Sequence, residues 1–348
     1  MEITVTAPNR VDLAGGTTDI YPLYLFMDGG CTVNAAVTIH SRVTLRSLGG
    51  SEIRIVSRDL EACVEAEAPA MLPVDGPLGL LGRAIRAIPP YSGIEMVVQN
   101  SAPAGSGLGA SSALLVAALA GLLHLRGEKH SRRNIVDLAA NIETAGIAVP
   151  AGKQDHIAAV YGGVSFIDFG YRDFDRQTIK SALQDRLERM LVLSYTGEGR
   201  FSGMNNWEIT RGFIDGSQEI KGKLTEIREV ARELTSTLRQ GRWNRLPELV
   251  DREWQIRRTL APGVSTKRIE EIMSAASNAG ALASKICGAG GGGCMITFVD
   301  PHNREGVEKA IEDSGGKVMQ YKLDWEGLAI SQTGAVTPGA KRADLPRT

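Results

Sequence analysis

The sequence lacks the paired short cysteine spacings of zinc sites and disulfide frameworks, since Cys31, Cys63, Cys287 and Cys294 stand apart. The expected state is therefore four free thiols in a reducing compartment. No basic-then-apolar segment of the secretory type opens the chain, so the expected location is the cytoplasm. The five histidines (His40, His124, His130, His156, His302) show no HExxH spacing, which removes support for a zinc hydrolase and leaves each as ordinary surface or packing. Charge of one sign is not in excess: Lys+Arg 39 against Asp+Glu 40 gives a net charge of −1, without a long basic run or acidic tail, which argues against a nucleic-acid scaffold. A long apolar run is also missing. The nearly uncharged stretch Asn100–Leu125 begins with Ser, Pro, Ala and Gly, and its apolar remainder is shorter than the roughly 20 residues a bilayer requires. There is no internal repeat, and the Walker spacing Gly-x-x-x-x-Gly-Lys-[Ser/Thr] is absent.

At 348 residues the chain exceeds the usual size of one compact core, so two lobes with a cleft between them are expected. Alternation of Ile3, Val5 and Ala7, the Val/Thr/Ile-rich run Cys31–Leu45, and Ile94–Gln99 predict strands. Pro103–Ser112 reads as a Gly/Ser loop, and Ala113–Leu125, apolar on every side, as an enclosed helix. Ser131 or Asn134 caps a helix through Glu143, and Tyr161–Asp168 returns to strand after a Gly-Gly entry. From about Gly203 the texture becomes charged and amphipathic, with Ile227, Val230, Leu234 and Leu238 at helical spacing and Val250 and Trp254 continuing it. Pro262–Gly263 breaks the run. Helices at Lys267–Asn278 and Asn303–Asp313 and strands at Cys294–Val299 and Lys317–Leu323 predict a split βαβ unit with a small antiparallel sheet. The division expected is 1–183, 184–335 and a mobile tail at 336–348.

Three segments carry chemistry. Pro103-Ala104-Gly105-Ser106-Gly107-Leu108-Gly109-Ala110-Ser111-Ser112 stands just before the enclosed helix. Its glycines let several N–H groups converge on an anion while the helix N-terminus adds positive potential, which is phosphate-binding chemistry. The competing readings are a tight packing loop and the dinucleotide fingerprint Gly105-x-Gly107-x-x-Ala110 with Glu128 as ribose partner. The fingerprint fits badly, because the polar, proline-containing segment Asn100–Ala104 separates strand from first glycine. Pro8–Asp19 places Arg10 with Asp12 and Asp19 around a glycine turn, where Arg offers fixed donors to phosphoryl oxygens and Asp accepts from sugar-like hydroxyls. Lys285–Cys294 is glycine-rich and runs into a strand, as a backbone lying close to a ligand would.

Taken together and in their order along the chain, the three segments resemble the signatures of the GHMP small-molecule kinases, the group that includes galactokinase, homoserine kinase and mevalonate kinase. The resemblance covers nearly the whole chain. It implies an α+β, two-lobed fold, with a ribosomal-protein-S5-like N-terminal lobe that binds ATP and a ferredoxin-like C-terminal lobe. It assigns Pro103, Gly105, Ser106, Gly107, Leu108, Gly109, Ala110, Ser111 and Ser112 to the ATP phosphates, and Ser112 with Glu143 to Mg²⁺, oxygen donors of the kind that ion takes. Asp155, in Gly152-Lys153-Gln154-Asp155, matches the family's catalytic aspartate and general base; the bland reading is a helix cap for His156–Val160. Arg10 is implied to hold Asp155 ionised and to neutralise the transferred phosphoryl.

Gly15-Gly16-Thr17-Thr18-Asp19 followed by Gly29-Gly30-Cys31-Thr32-Val33-Asn34-Ala35 resembles the pattern of those members that phosphorylate the anomeric hydroxyl of sugars, particularly of D-glycero-D-manno-heptose 7-phosphate. Thr17 departs from it, since glycine is usual there. The galactokinase GEHxDY phrase is absent. The substrate residues implied are Gly16, Thr18, Asp19, Gly152, Gln154, Gly290 and Gly291. Arg200 and Ser202 are added as an anion subsite, against the reading of a solvated turn. A fucose-type 1-kinase, a noncatalytic sugar and ATP sensor, and a nicotinamide oxidoreductase are the alternatives. The partner expected is a small sugar phosphate, with no nucleic acid or membrane, on a monomer or homo-oligomer.

Overall fold

The computed structural model describes residues 1–179, 184–199 and 203–333. The expected tail 336–348, together with Arg200 and Ser202, lies outside the described residues. In chain order the elements are β1 (Glu2–Ala14), β2 (Gly30–Ser47), β3 (Ile53–Ser57), β4 (Ala62–Ala66), α1 (Gly79–Ala87), β5 (Ile94–Asn100), α2 (Ala110–Leu125), α3 (Arg132–Ile147), α4 (Gln154–Tyr161), β6 (Val164–Gly170) and β7 (Asp173–Ile179). There follow α5 (Gln184–Met190), β8 (Leu191–Tyr195), α6 (Gly203–Ile214), α7 (Gln218–Arg239), α8 (Leu246–Arg257), α9 (Lys267–Asn278), β9 (Ala283–Ile286), β10 (Cys294–Phe298), α10 (Arg304–Asp313), β11 (Lys317–Met319) and β12 (Ala329–Thr333).

The first sheet runs β12-β1-β2-β5-β3-β4, with β6 paired to β2 and β7 to β6. Strand β2 is long enough to serve two partners: Gly30–Ala35 pairs with β6, and Ser41–Ser47 pairs with β5. A register shift between Pro8 and Asn9 of β1 marks the change, as a bulge does where a strand bends. Before that point β1 alternates, with Ile3, Val5 and Ala7 buried. After it both faces are buried, because the second lobe covers the far side. Helix α2 is apolar all round because it is enclosed by the sheet, α1, α3 and α4. Gly121 allows its close approach: a Cβ there would stand 2.9 Å from Leu45 Cδ1. Truncating a fully buried side chain of this core, such as Leu119, to alanine costs about 2–5 kcal/mol.

The second sheet, β11-β8-β10-β9, is antiparallel throughout. With α6–α9 between β8 and β9 and α10 between β10 and β11, it is the βαββαβ arrangement of a ferredoxin-like lobe. Helix α7 joins the lobes, packing Val230, Ala231 and Leu234 against Val11, Leu13 and Val33 of the first sheet.

Several element limits differ from the sequence reading. Ser131, not Asn134, caps α3, accepting from the Asn134 N–H, and the helix runs past Glu143 to Ile147. Tyr161 ends a helix, and the following strand begins only at Val164, after two left-handed glycines. The strand expected over Lys317–Leu323 stops at Met319. Ala329–Thr333, placed by the expected division in the second domain, pairs with β1 and so completes the first sheet. The β3–β4 hairpin, α1 and β7 are additional elements. Among the described residues no helix is long and apolar enough to cross a membrane, and the four cysteines are free.

Candidate active site

A cleft of about 380 Å³ opens between the lobes, and residues of all three glycine segments line it. The middle segment forms its floor. Gly105, Gly107 and Gly109 have φ of 67, 70 and 75°, each left-handed, with one ordinary residue between successive glycines. That alternation curls the backbone into a concave nest of N–H groups. Gly109 stands at the N-cap of α2, where no side chain caps the helix. The first-turn N–H groups therefore have neither an intrahelical partner nor a cap, and the positive end of a 16-residue helix faces the cleft. Substitution would close the nest from both sides. A Cβ at Gly107 would stand 2.5 Å from the Cys287 carbonyl oxygen, and one at Gly109 would stand 2.9 Å from Asp155 Oδ2.

Asp155 lies in the first turn of α4, and Lys153 occupies the cap position. The cap reading of Asp155 is thereby excluded, and its carboxylate serves Arg10. Arg10 Nε donates to Asp155 Oδ1 at 2.8 Å, Nη2 approaches the same oxygen at 2.6 Å, and Nη1 donates to the Gly107 carbonyl at 2.5 Å. The Arg10 main chain is tied to the same loop, donating to the Leu108 carbonyl at 2.9 Å. Burial pushes the Asp155 carboxyl above its ordinary range and Arg10 limits the rise. For Arg10, burial opposes the charge, and the neighbouring Asp155 and Asp12 more than restore it.

Glu143, carried on α3, sits beside the first turn of α2. Its two oxygens accept from Ser111 and Ser112 hydroxyls, each at 2.6 Å. His156 Nε2 lies 2.8 Å from Glu143 Oε2 with its ring fully buried. Burial alone would raise this carboxyl; the imidazole and the two hydroxyls outweigh it and hold Glu143 below the usual range. An ionised carboxylate next to a hydroxyl at the mouth of a phosphate nest is an oxygen donor set suited to Mg²⁺, which takes few protein ligands and completes its shell with phosphates and water. No group of three or more His, Cys, Asp or Glu side chains that could hold a metal occurs among the described residues.

At the other end, Gly16, Asp19, Gly152 and Gln154 come together as expected from the sequence. Asp19 accepts from the Gln154 N–H at 2.9 Å, and a Cβ at Gly152 would stand 2.0 Å from Asp19 Oδ2. Burial pushes the Asp19 carboxyl up to about 6. Three expectations need correction. Thr18 is fully buried, and its hydroxyl is spent on the Gly15 and Cys31 carbonyls at 2.7 and 2.9 Å, so it shapes the turn and has no donor left for a ligand. Gly290 and Gly291 pack on Val264, Gly291 N–H donating to its carbonyl at 2.8 Å; Gly288 and Ala289 are the residues of that loop which line the cleft. Sequence reasoning also missed His156, for which a lone histidine gives no signal, and the cleft's far end at Ser57, Asp59, Leu78, Leu81 and Asn100.

A cleft with a glycine nest on an uncapped helix, facing an arginine-paired aspartate, has the parts that phosphoryl transfer requires. The comparisons specify which kind. A model of the GHMP kinases N terminal domain matches residues 79–163 and one of the GHMP kinases C terminal region matches residues 225–317. A curated D-glycero-alpha-D-manno-heptose 7-phosphate kinase of Campylobacter jejuni is 28% identical over 345 residues, covering 94% of this chain and 98% of its own. A mevalonate kinase of Thermococcus gammatolerans is 30% identical over 251 residues, 69% of this chain and 70% of its own. In structure, a D-glycero-D-manno-heptose 1-phosphate kinase of Bacteroides thetaiotaomicron superposes with a TM-score of 0.78 at 24% identity, covering 96% of this chain and all of that one, which supports the fold. The chain belongs to the GHMP kinases, and it is an ATP-dependent kinase.

Proposed function

We propose that the enzyme transfers the γ-phosphoryl group of ATP to the anomeric hydroxyl of a sugar phosphate, D-glycero-D-manno-heptose 7-phosphate, giving the 1,7-bisphosphate and ADP. The observation that carries the reading is the placement of Asp155 against Gly109, with Arg10 binding both the carboxylate and the glycine loop. A triphosphate seated in the loop would then have its outer phosphorus on the side where Asp155 can aim an alcohol at it. Support for the acceptor comes from the Gly15–Asp19 and Gly29–Ala35 segments and from the near full-length match to the Campylobacter jejuni enzyme.

The residues divide the work. Asp155, raised above an exposed carboxylate by burial, accepts the proton of the attacking hydroxyl, and its fixed pairing with Arg10 aims it. Arg10 offsets charge on the phosphoryl in flight. The nest from Gly105 to Gly109 and the first turn of α2 hold the phosphate oxygens. Ser112 and Glu143 would hold Mg²⁺, which would supply positive charge against the phosphates during transfer. Asp19, Gly16, Gly152 and Gln154 face the sugar, with the Asp19 carboxylate accepting from its hydroxyls.

ADP release, followed with Mg²⁺-ATP and a panel of heptose 7-phosphate, fucose, galactose and mevalonate, tests this. The expected result is turnover with the heptose phosphate at least a hundredfold above the others in kcat/KM. Preference for fucose would move the acceptor within the sugar 1-kinases, and preference for mevalonate would overturn the sugar reading.

A further inference from the structure

Beneath the sugar-facing end of the cleft lies a second set of charges. Asp12, Glu253, Arg257 and Lys285 are each at most 2% exposed. Lys285 Nζ stands 3.3 Å from Asp12 Oδ2 and 3.0 Å from Glu253 Oε2, while Arg257 donates through Nε and Nη2 to Glu253 Oε1 at 2.8 and 2.6 Å. Two cations balance two anions. Burial alone would raise the Glu253 carboxyl, yet Arg257 and Lys285 hold it below the usual range. A buried ion network of this kind is weak evidence of added stability, since well-packed apolar side chains do as well. What it touches is more informative.

Arg257 reaches past Glu253 with both terminal nitrogens. Nη2 donates to the Gly16 carbonyl at 2.7 Å and Nη1 to Thr17 Oγ1 at 3.2 Å, while the Gly15 N–H donates to Glu253 Oε1 at 3.4 Å. Three consecutive residues of the turn leading to Asp19 are thus held from α8 of the other lobe. Thr17 needs holding: its φ is 75°, in the left-handed region, and for a β-branched residue that costs about 1–2 kcal/mol. Gly16 has no freedom either, because a Cβ there would stand 2.6 Å from Asp12 Oδ2. Both Gly16 and Thr17 line the cleft.

We infer that Arg257 is a positioning residue for the sugar: its grip on Gly16 and Thr17 from the second lobe sets the shape of the sugar-facing turn, and so acceptor affinity, without acting on the nucleotide end. The inference rests on the assignment of the Gly16–Asp19 side to the acceptor made above.

Two variants separate this role from a merely structural one. Thr17→Val keeps the strained β-branched backbone and all four buried charges but removes the hydroxyl; Arg257→Lys keeps charge and removes the fork. The expected result is a rise in KM for heptose 7-phosphate of about fivefold for Thr17→Val and at least tenfold for Arg257→Lys, on the scale of one and two lost hydrogen bonds of ordinary net strength. The double variant should be within twofold of Arg257→Lys alone, since both act through one contact. Affinity for a fluorescent ATP analogue should stay within twofold. Amide hydrogen exchange, read without any sugar, should speed up about tenfold in the peptide spanning 13–18 and stay unchanged in 105–112. Unaltered KM and exchange in both variants, or a parallel loss of sugar and nucleotide affinity, overturns the inference. Should wild-type enzyme fail to turn over the heptose phosphate while exchange at 13–18 still accelerates in both variants, the acceptor assignment falls and the grip of Arg257 stands. If Arg257→Lys does not fold, Thr17→Val decides by the same readouts.

Discussion

Replacing Asp155 with asparagine removes one charge from a pair and leaves the shape of the cleft. In the wild type, Oδ1 of Asp155 takes Arg10 Nε at 2.8 Å and Nη2 at 2.6 Å, and the third donor of that guanidinium goes to Gly107. Asparagine can accept from Arg10 through its one oxygen but cannot accept the proton of an attacking hydroxyl. A positioned general base contributes about 10²–10⁴ in rate, which corresponds to about 3–5 kcal/mol of barrier. Arg10, 4% exposed, is left without its counter-charge. The folded state should therefore lose about 1–3 kcal/mol, the usual cost of an under-satisfied buried group. The glycine nest does not use the Asp155 charge to hold phosphates, so nucleotide affinity should change less than threefold. Stopped-flow ADP release under saturating ATP and acceptor measures the first effect, a fluorescent nucleotide titration the third, and urea unfolding the second. A variant that retains more than a tenth of the wild-type kcat would refute the role given to Asp155, and one that loses nucleotide binding in step with rate would show that the residue supports the loop.

Glu143→Gln keeps partners for Ser111 and Ser112 but loses the ionised oxygen, so the Mg²⁺ concentration for half-maximal turnover should rise about tenfold or more, with kcat partly recovered at high magnesium; an unchanged magnesium curve removes Glu143 from the metal site. Gly109→Ala should lower kcat at least a hundredfold, because the new Cβ would stand 2.9 Å from Asp155 Oδ2 in addition to the left-handed φ of 75°. Gly127→Ala, with φ 70° and nothing within 4 Å, carries the backbone cost alone and should cost about 1–2 kcal/mol of stability while leaving kcat intact. Asp19 gives a pH signature. Its folded pKa of about 6 lies above the ordinary value of 3.8, so its protonated form favours the fold. That contribution is complete below about pH 4 and is lost as pH rises through 6, amounting to about 3 kcal/mol. The stability of Asp19→Asn relative to wild type should therefore increase between pH 4 and 7, while its KM for the sugar phosphate rises; a difference that does not vary with pH contradicts the burial argument.

What was readable in the sequence, and what was not, follows from how local each signal is. The glycines at 105, 107 and 109 are legible because each stands where a Cβ would strike a neighbour or where φ is positive, and a residue type with no Cβ records that constraint directly. The apolar surround of α2 is legible for a similar reason, since enclosure by sheet and helices removes every polar position but the ends. Glu253 and Arg257 are i,i+4 neighbours on one helix, but the contacts that join them to Asp12, Lys285 and the Gly15–Thr17 turn bring together residues up to 273 positions apart, and nothing near the pair announces those partners. His156 reads as an ordinary histidine because its partner, Glu143, lies on a different helix. The return of Ala329–Thr333 to β1 escaped for the same reason as β3 and β4: short strands of five residues carry little periodicity, and pairing across the whole chain length decides them. Thr18 misled in the opposite direction, a hydroxyl in the right segment that the backbone of its own turn had already taken.

Phosphorus NMR of the reaction with Mg²⁺-ATP and D-glycero-D-manno-heptose 7-phosphate examines the proposed chemistry at the atom where it takes place. The cleft described here predicts loss of the γ-phosphorus, appearance of ADP, and one new sugar phosphorus coupled to the anomeric proton, in equal amounts and only when the sugar is present. A new phosphorus coupled to any other position, or ADP formed without a phosphorylated sugar, would contradict it.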